Sequence, residues 1–323
     1  MILDIIVPHY NEPWEECSKL FEMLALQRFV NFKDFLVLLV NDGESNIIQN
    51  VYARHYPYEV VGLTIPHKGV SAARNKGLEY SKAEWVMFCD CDDTFTDIYS
   101  LQCILNVLGD KKNDLLWCPF YIEQSGFGSV TTSDTFNCTF IHGKVFRRSF
   151  LIEHNLRFNE ELTYSEDTAF CSVVNMELSY KRVGKINCSL VPYVWAFRKG
   201  SATTDINRVG QNAVGLFRRQ KYVAEQYKLR GLIEEANQTA YRGMCDAYMT
   251  ILRTDIDHDE SFIKEAKQFC DQWSDCEKWV TKEVAEKAID GAFIEATVYD
   301  NSEALPSKAG FKEWYEKFKK GVW

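Results

Sequence analysis

The first hundred residues alternate short aliphatic runs with segments of helical periodicity, and this alternation constrains the fold more than any other feature. Four runs have the length of buried strands: Ile2–Val7, Phe35–Val40, Glu59–Ile65 and Glu84–Cys89. Between them, Trp14–Leu26 and Val70–Tyr80 are predicted to be helices. Strands that alternate with helices predict an α/β domain with a mainly parallel sheet covered by helices on both faces.

Polar loops follow three of these predicted strands. They are Pro8–Glu12, Asn41–Glu44 and Asp90–Asp93. In open parallel sheets, ligands bind in the crevice at the carboxyl ends of the strands. We therefore expect the three loops to converge on one binding site.

The rest of the chain divides at about Thr204. Before it the pattern is less regular, with strands predicted at Leu115–Ile122, Asn137–Ile141, Lys181–Ile186 and Pro192–Phe197, and helices predicted after Tyr99 and at Asp167–Met176. After it the chain becomes a series of amphipathic helices, such as Ser261–Trp273. We predict an α/β domain at residues 1–204 and an α-helical C-terminal domain at residues 205–323.

Composition excludes several classes of protein. The 323 residues include 46 acidic and 37 basic side chains, for a net charge of −9, which argues against nucleic-acid binding. No apolar run approaches the roughly 18 residues of a membrane span, and no basic leader precedes the first strand, so the cytoplasm is the predicted location. The eleven cysteines form no CxxC pair, which favours reduced thiols over disulfides or zinc.

The acidic loop after the fourth predicted strand is the strongest local signal. Asp90, Asp92 and Asp93 place three carboxylates within four residues. Such a cluster is destabilised by like-charge repulsion unless a cation offsets it, and Mg²⁺ or Mn²⁺ suits a nucleotide-diphosphate site. The alternative is a solvated turn that caps the next helix.

A second acidic pair and four cations complete the candidate residues. Glu166 and Asp167 open a predicted helix, where a capping role is an equally good explanation. The cations are predicted to face phosphates or to lie in a glycine turn, although each is also explained as an ordinary surface residue: Lys68, Arg74, Arg198 and Lys144.

Four ordered motifs together resemble the family 2 inverting glycosyltransferases, which have the Rossmann-like GT-A fold. They are Pro8-His9-Tyr10-Asn11-Glu12, Val40-Asn41-Asp42-Gly43-Glu44-Ser45, Lys68-Gly69-Val70-Ser71-Ala72-Ala73-Arg74-Asn75-Lys76-Gly77 and Asp90-Cys91-Asp92-Asp93. Further segments continue the resemblance to about residue 204, where it stops: Gly143–Arg148, Phe158–Leu162, Glu166–Phe170, Tyr193–Trp195 and Arg198–Ser201.

The resemblance implies roles for individual residues in donor binding. Pro8, His9, Tyr10 and Glu12 are similar to the loop that lines the nucleotide base and ribose, and Asp42 to the acid that reads uracil. Further residues assigned to the donor by the resemblance and its motifs are Lys68, Arg74, Asp90, Arg198 and Ser201, the last two near the diphosphate.

The resemblance also implies the reactive groups. Asp92 matches the metal ligand of the DxD motif, and Asp93 is a substitute ligand or a residue near the sugar and acceptor. Asp167 matches the catalytic base, with Glu166 beside it, and Lys144 matches a turn near the sugar and acceptor.

Two positions depart from the family pattern. Asn41 replaces the first of two aspartates that the second loop commonly carries, and Cys91 replaces a small polar residue inside the DxD motif. Neither change removes a charge that the mechanism needs, but Asn41 lies in the loop that reads the base and so bears on the choice of uridine.

These observations predict a metal-dependent enzyme that transfers a sugar, with inversion, from a nucleotide sugar, UDP-linked by expectation, to an acceptor hydroxyl. The acceptor is expected to be a saccharide or a lipid-linked molecule in polysaccharide or glycoconjugate synthesis, and a homo-oligomer is left open. Two alternatives are a nucleotidyltransferase and a catalytically silent nucleotide-sugar-binding subunit. The first predicts a glycine-rich loop after the first strand, and Pro8–Pro13 contains no glycine.

The C-terminal segment at residues 308–323 has two interpretations. Aromatic residues recur there at helical spacing among five lysines: Phe311, Trp314, Tyr315 and Phe318. A helix of this kind can lie on the inner face of an anionic membrane, which would make the protein peripheral to it. Alternatively, the aromatic stripe packs onto preceding helices as core.

Overall fold

The structure is a computed structural model that describes residues 1–108, 113–123, 130–133, 139–181, 184–187, 191–196, 209–253, 259–297 and 305–320. The chain forms two compact units. The first contains Met1–Glu161 and Glu166–Arg198, and the second contains Leu162–Ser165 and Lys199–Trp323. The functional division at residue 204 stays a prediction.

Strands and helices alternate along most of the first unit. In chain order they are β1 (Leu3–His9), α1 (Trp14–Ala25), β2 (Phe35–Asp42), α2 (Ile47–Tyr52), β3 (Glu59–Ile65), α3 (Val70–Tyr80), β4 (Trp85–Phe88), β5 (Thr94–Phe95), α4 (Ser100–Val107), β6 (Asn113–Trp117), β7 (Phe120–Glu123), β8 (Val130–Thr132), β9 (Lys144–Arg147), α5 (Arg148–Glu153), α6 (Glu166–Lys181), β10 (Gly184–Asn187) and β11 (Tyr193–Trp195).

The main sheet of the described residues has seven strands in the order β10-β6-β9-β4-β1-β2-β3. β1 lies between β2 and β4 and is parallel to both, with Leu3 opposite Phe35 and Trp85. β9 is antiparallel to its neighbours β4 and β6. The expected mainly parallel sheet is therefore confirmed, with one reversed strand inside it.

Successive side chains of a strand point to opposite faces of the sheet, and every residue of β1 is buried. Helices therefore cover both faces. On one face, Leu3 and Ile5 of β1 belong to the same buried cluster as Leu20 and Phe21 of α1. On the other face, Ile6 meets α3 so closely that a Cβ on Gly77 would lie 2.4 Å from the Cγ2 atom of Ile6. Glycine at this position lets the helix backbone approach the sheet.

Two predicted strands are wrong in detail. Leu115–Ile122 is divided, since β6 lies in the main sheet while β7 lies in a second sheet of order β5-β11-β7-β8. Residues 139–141 are not a strand, and the strand that pairs with β4 and β6 begins instead at Lys144. Val145 and Phe146 are fully buried there, and the short apolar pattern did not distinguish which segment paired.

The second unit is helical in its described parts. Its elements are α7 (Val209–Leu229), α8 (Ile233–Ile251), α9 (Glu260–Gln272), a 3₁₀ turn (Cys276–Trp279), α10 (Lys282–Thr297), a second 3₁₀ turn (Lys308–Gly310) and α11 (Phe311–Lys319). The predicted helix at Ser261–Trp273 corresponds to α9. No described helix is both long and apolar enough to cross a bilayer.

The aromatic stripe of α11 is part of the core of the second unit. Phe311, Trp314, Tyr315 and Phe318 are 4%, 8%, 1% and 1% exposed. Phe311 and Trp314 contact the ring of Tyr248 in α8, with centroids 5.5 and 5.2 Å away. These rings are therefore not available to a lipid surface, and the membrane interpretation of the stripe is corrected in favour of core packing.

Candidate active site

The three loops at the carboxyl ends of β1, β2 and β4 lie together, as the sequence predicts. His9, the last residue of β1, bonds through Nδ1 to Oδ1 of Asn41 in β2, at 3.2 Å. The thiols of Cys17 in α1 and Cys91 in the acidic loop are 3.4 Å apart. The described cysteines form no disulfide, so both are free thiols.

Arg74 of α3 connects two groups of acids. Its Nη2 donates to Asp90 Oδ1 and its Nη1 donates to Glu166 Oε1, both at 2.8 Å. The residue is 3% exposed, and its guanidinium carbon lies 5.2 Å from the centroid of the Phe158 ring. Burial alone would lower the pKa of Arg74, but the charges of Asp90 and Glu166 outweigh burial and raise it.

This geometry corrects the expectation that Arg74 lies in a loop facing phosphates. Arg74 is a buried helical residue whose two terminal nitrogens already bind carboxylates. The arrangement fixes the acidic loop after β4 to the first turn of α6. A direct contact between Arg74 and the donor stays a prediction.

Asp167 follows Glu166 in the first turn of α6. Its Oδ1 accepts a hydrogen bond from the backbone amide of Thr168 at 2.6 Å. Burial raises the pKa of Asp167 to about 6, with a further rise from the Glu166 charge and an opposing effect from Arg74. A carboxylate with this pKa is ionised at neutral pH and still basic enough to accept a proton, as a general base requires.

A second group lies around Asp42 at the end of β2. The carboxylate of Asp42 accepts from the backbone amides of Lys68 at 2.7 Å and Gly69 at 2.8 Å, and bonds to His67 Nδ1 at 2.9 Å. The exposed ring of Tyr10 stacks on His67 with centroids 3.9 Å apart. His67 thus joins Asp42 to Tyr10, and the backbone of the exposed Lys68 binds Asp42 directly. Sequence reasoning missed His67, although it directly precedes the motif that begins at Lys68.

The remaining residues of the first loop shape the backbone. Pro8 is buried inside β1, and His9 is 3% exposed with its Nε2 bonded to the carbonyl oxygen of Glu12 at 3.0 Å. Glu12 in turn accepts from the backbone amide of Tyr10 at 2.9 Å. Of these four residues, Tyr10 is the one whose side chain is exposed, so the others hold the loop that presents it.

A third group contains Asp90, Asp93 and His142, whose potential ligand atoms all lie within 4.8 Å of one another. Asp93 accepts from the Tyr193 hydroxyl at 2.5 Å and from the backbone amide of Ala196 at 2.9 Å. Burial raises the pKa of Asp93 well above its ordinary value, and the charges of Asp90 and Asp92 add to the rise. Asp92 is half-buried and lies outside this group.

His142 is a second residue that sequence reasoning missed. Its Nδ1 lies 3.5 Å from Asp93 Oδ2 and makes no hydrogen bond within the described part of the chain. Burial lowers the pKa of His142 to about 4, so its imidazole is neutral at physiological pH and can act as a metal ligand. Its position two residues before Lys144 was the available signal.

Lys144 and two predicted donor residues complete the comparison with the sequence. Lys144 is 2% exposed, bonds through Nζ to the carbonyl oxygen of Phe140, and lies 5.7 Å from the centroid of the Trp117 ring. Its predicted place near the sugar stays a prediction. Arg198 and Ser201 lie outside the described residues.

Comparison with known families decides the identity of this site. The sequence model of Glycosyl transferase family 2 matches residues 4–181, which is more than half of the chain. The chain belongs to glycosyltransferase family 2. The expected GT-A fold is confirmed, and the nucleotidyltransferase alternative is set aside.

Curated relatives also match part of the glycosyltransferase. It is 27% identical over 199 residues to the minor teichoic acid biosynthesis protein GgaB of Bacillus subtilis, which covers 55% of this chain and 21% of GgaB. It is 34% identical over 135 residues to an uncharacterized glycosyltransferase of Haemophilus influenzae, which covers 40% of this chain and 43% of that protein. The chain thus matches about a fifth to a half of the length of these two relatives.

Solved structures show the same fold over more of the glycosyltransferase. Residues 1–349 of TarS from S. aureus, in complex with UDP-GlcNAc, superpose with a TM-score of 0.63 at 18% identity, covering 100% of this chain and 93% of that one. The longer TarS structure is covered to 55% of its length, with a TM-score of 0.54 at 16% identity over 90% of this chain. The mannosyltransferase PcManGT of Pyrobaculum calidifontis, in complex with GDP-Man and Mn²⁺, has a TM-score of 0.52 at 16% identity, covering 91% of this chain and 86% of that one.

The Arg74 bridge predicts a large stability cost for Arg74→Lys. A single ammonium group cannot reproduce the fork that binds two carboxylates, and breaking a buried ion pair costs about 3–5 kcal/mol. We expect the urea unfolding midpoint to fall accordingly. Arg54→Lys, at an exposed position, is the control and should change stability by less than about 0.5 kcal/mol. Equal stability of the two variants would contradict the structural importance of the bridge.

Proposed function

We propose that this family 2 glycosyltransferase transfers a sugar from a UDP-linked donor to an acceptor hydroxyl with inversion at the anomeric carbon. The observation that carries the proposal is Asp167, a carboxylate with a pKa of about 6, beside the Arg74-bridged acids at the carboxyl edge of the sheet. The UDP-GlcNAc complex of TarS supports the nucleotide, and the teichoic acid role named for GgaB supports polysaccharide synthesis.

In the proposed mechanism, Asp167 acts as the general base. Its carboxylate accepts the proton of the acceptor hydroxyl while the hydroxyl oxygen attacks the anomeric carbon from the face opposite the diphosphate, and the bond to the diphosphate breaks. Glu166 does not share this role, since its carboxylate is held by Arg74 at 2.8 Å. Instead, its charge helps to raise the pKa of Asp167.

The donor base is assigned to the group around Asp42. The Tyr10 and His67 rings offer an exposed aromatic surface, and the Asp42 carboxylate fixes His67 and the backbone of Lys68 and Gly69. Aromatic surfaces of this kind stack with nucleobases irrespective of their sequence. We propose that Tyr10 and His67 contact the base, while Arg198 and Ser201 approach the diphosphate, as the family resemblance implies.

The acidic loop fits a divalent ion. Asp90 and Asp93 approach the neutral His142, whose buried Nδ1 has no hydrogen-bond partner among the described residues, and carboxylate with imidazole is a donor set that suits Mn²⁺. Burial raises the pKa of Asp93 and the charges of Asp90 and Asp92 add to the rise, and a cation would offset the like-charge part. We propose that Asp92 holds Mn²⁺ or Mg²⁺, with Asp90, Asp93 and His142 as the alternative ligand set. When bound, the ion neutralises charge on the departing diphosphate.

The proposed function is tested by offering UDP-, GDP- and dTDP-sugars with candidate saccharide acceptors and measuring nucleotide release. We expect acceptor-dependent release of UDP, abolished by EDTA and restored by Mn²⁺. Saturable binding of a UDP-sugar without transfer to any acceptor would favour the silent subunit, and release of GDP or dTDP instead would refute the choice of nucleotide. The anomeric configuration of the product, measured from NMR coupling constants and compared with that of the donor, shows whether transfer occurs with inversion.

The metal proposal predicts that donor affinity depends on Asp92. In calorimetric titrations with a UDP-sugar, wild-type protein should bind at least about 10-fold more tightly with Mn²⁺ than with EDTA, and Asp92→Ala should lose most of this difference. Asp97→Ala, a neighbouring exposed acid, is the control and should behave as wild type. Loss of the metal effect in His142→Gln but not in Asp92→Ala would assign the ion to the buried group, and a wild-type affinity insensitive to EDTA would refute both.

The base proposal predicts a pH profile governed by Asp167. At pH values below its pKa of about 6, Asp167 is protonated and cannot accept a proton. We therefore expect kcat/KM to fall about tenfold per pH unit below about pH 6 and to level off above about pH 7. In Asp167→Asn, this pH dependence should disappear and the transfer rate should fall about 10²-fold or more, while donor binding is retained.

A matched control separates this role from helix capping. Asp97 accepts hydrogen bonds from Tyr99 and Ser100 at the start of α4, so Asp97→Asn changes a carboxylate at another helix start. We expect Asp97→Asn to retain the wild-type profile. Asparagine is itself a good cap, so transfer near the wild-type rate in Asp167→Asn would show that Asp167 caps α6 and is not the base.

A further inference from the structure

The tetrapeptide Leu162–Ser165 belongs to the helical second unit, although it directly precedes Glu166 and Asp167 in the chain. Within that unit, α7 touches the tetrapeptide at two points, Gly215 against Tyr164 and Arg219 against Ser165. Ser165, the last residue of the tetrapeptide, therefore contacts α7, and the acidic pair begins at the next residue.

The first contact requires glycine. A Cβ on Gly215 would lie 2.7 Å from Tyr164 Cβ and 3.1 Å from its Cδ1. Side-chain carbons do not approach this closely, and the Tyr164 Cβ cannot move without its backbone. Gly215 thus sets how near the tetrapeptide lies to α7, and an alanine would displace it.

The second contact lies at the end of an ion-pair network. Arg219 is 5% exposed, and its Nη1 donates to Ser165 Oγ at 3.4 Å while its Nη2 donates to Glu295 Oε2 at 2.7 Å. Glu295 also accepts from Arg242 at 2.9 Å, and Arg242 donates to Asp246 at 3.0 Å. A network shared by α7, α8 and α10 holds the guanidinium in one orientation, because moving it would break the ion pair of the buried Arg219 with Glu295.

The backbone of Ser165 shows why such support is needed. Its φ angle is +60°, in the left-handed region that serine rarely adopts. Such a conformation persists when the surrounding contacts fix it. Ser165 directly precedes α6, the helix whose first turn carries Asp167.

We propose that α7 is a positioning element for the catalytic base, with Gly215 and Arg219 as positioning residues that act through Tyr164 and Ser165. The proposal rests on the proposed function and assigns a role to the helical unit, whose part in catalysis the sequence left open. Neither residue is proposed to touch the substrate. Their loss should therefore lower kcat, through a misplaced Asp167, and leave donor binding intact.

The experiment compares Gly215→Ala and Arg219→Lys with two matched controls in the full chain. Arg218→Lys changes the exposed neighbour that pairs with Glu265, and Gly243→Ala changes a helical glycine that packs against Phe269 and Gln220 instead of Tyr164. We expect kcat to fall at least about 10-fold in the two test variants, with the donor dissociation constant within about twofold of wild type. Both controls should keep kcat within about twofold.

A second readout does not depend on activity. Amide hydrogen exchange of the peptide spanning residues 166–173 should accelerate at least about 5-fold in Gly215→Ala and Arg219→Lys, and in neither control. Ser165→Gly, which adopts positive φ without strain and so avoids misfolding, should give the same acceleration because it removes the side chain that Arg219 holds.

The outcomes separate this proposal from the proposed function. Unchanged kcat and unchanged exchange in both test variants would overturn the positioning role, as would an equal loss of donor affinity and kcat. If wild-type protein transfers no sugar, the proposed function fails, and the exchange measurement alone then decides: acceleration confined to the test variants supports positioning of α6, and its absence refutes it.

Discussion

The bridge from Arg74 to Asp90 and Glu166 is the interaction on which the site depends. It joins three segments that are distant in sequence, namely α3, the loop after β4 and the first turn of α6. Burying a charge costs several kcal/mol unless it is paired, so each of the three groups is stable in its place because the others are present. The bridge also contributes to the position of Asp167, since Asp167 is the next residue after Glu166.

Much of this architecture could be predicted from the sequence. Aliphatic runs such as Phe35–Val40 are long enough to form buried parallel strands, and the polar residues after them fall at one edge for topological reasons alone. The same argument predicts that Asp42 and Asp90, at or just after the ends of β2 and β4, lie at this edge. Local pattern was sufficient here because strand, turn and helix signals all agreed with one topology.

The sequence could not show how side chains are partnered. Taken singly, Arg74 is also explained as an ordinary surface cation, and the tertiary structure is what places two carboxylates on it. The local signal for His67 and His142 is limited to their nearness to Lys68 and Lys144, since each histidine becomes relevant through an acid distant in the chain, Asp42 or Asp93. The stripe of α11 had two explanations for the same reason, because a helix presents an identical pattern to a core and to a lipid surface.

Charge partners also divide the acids of the site into different roles. Burial raises the pKa of both Asp167, which is half-buried, and Asp93, which is buried, to about 6 for Asp167 and well above the ordinary value for Asp93. The nearby cation Arg74 opposes the rise at Asp167, whereas Asp93 lies beside the negative charges of Asp90 and Asp92. Asp167 is therefore able to take a proton at neutral pH, whereas a cation beside Asp93 would favour its ionised form.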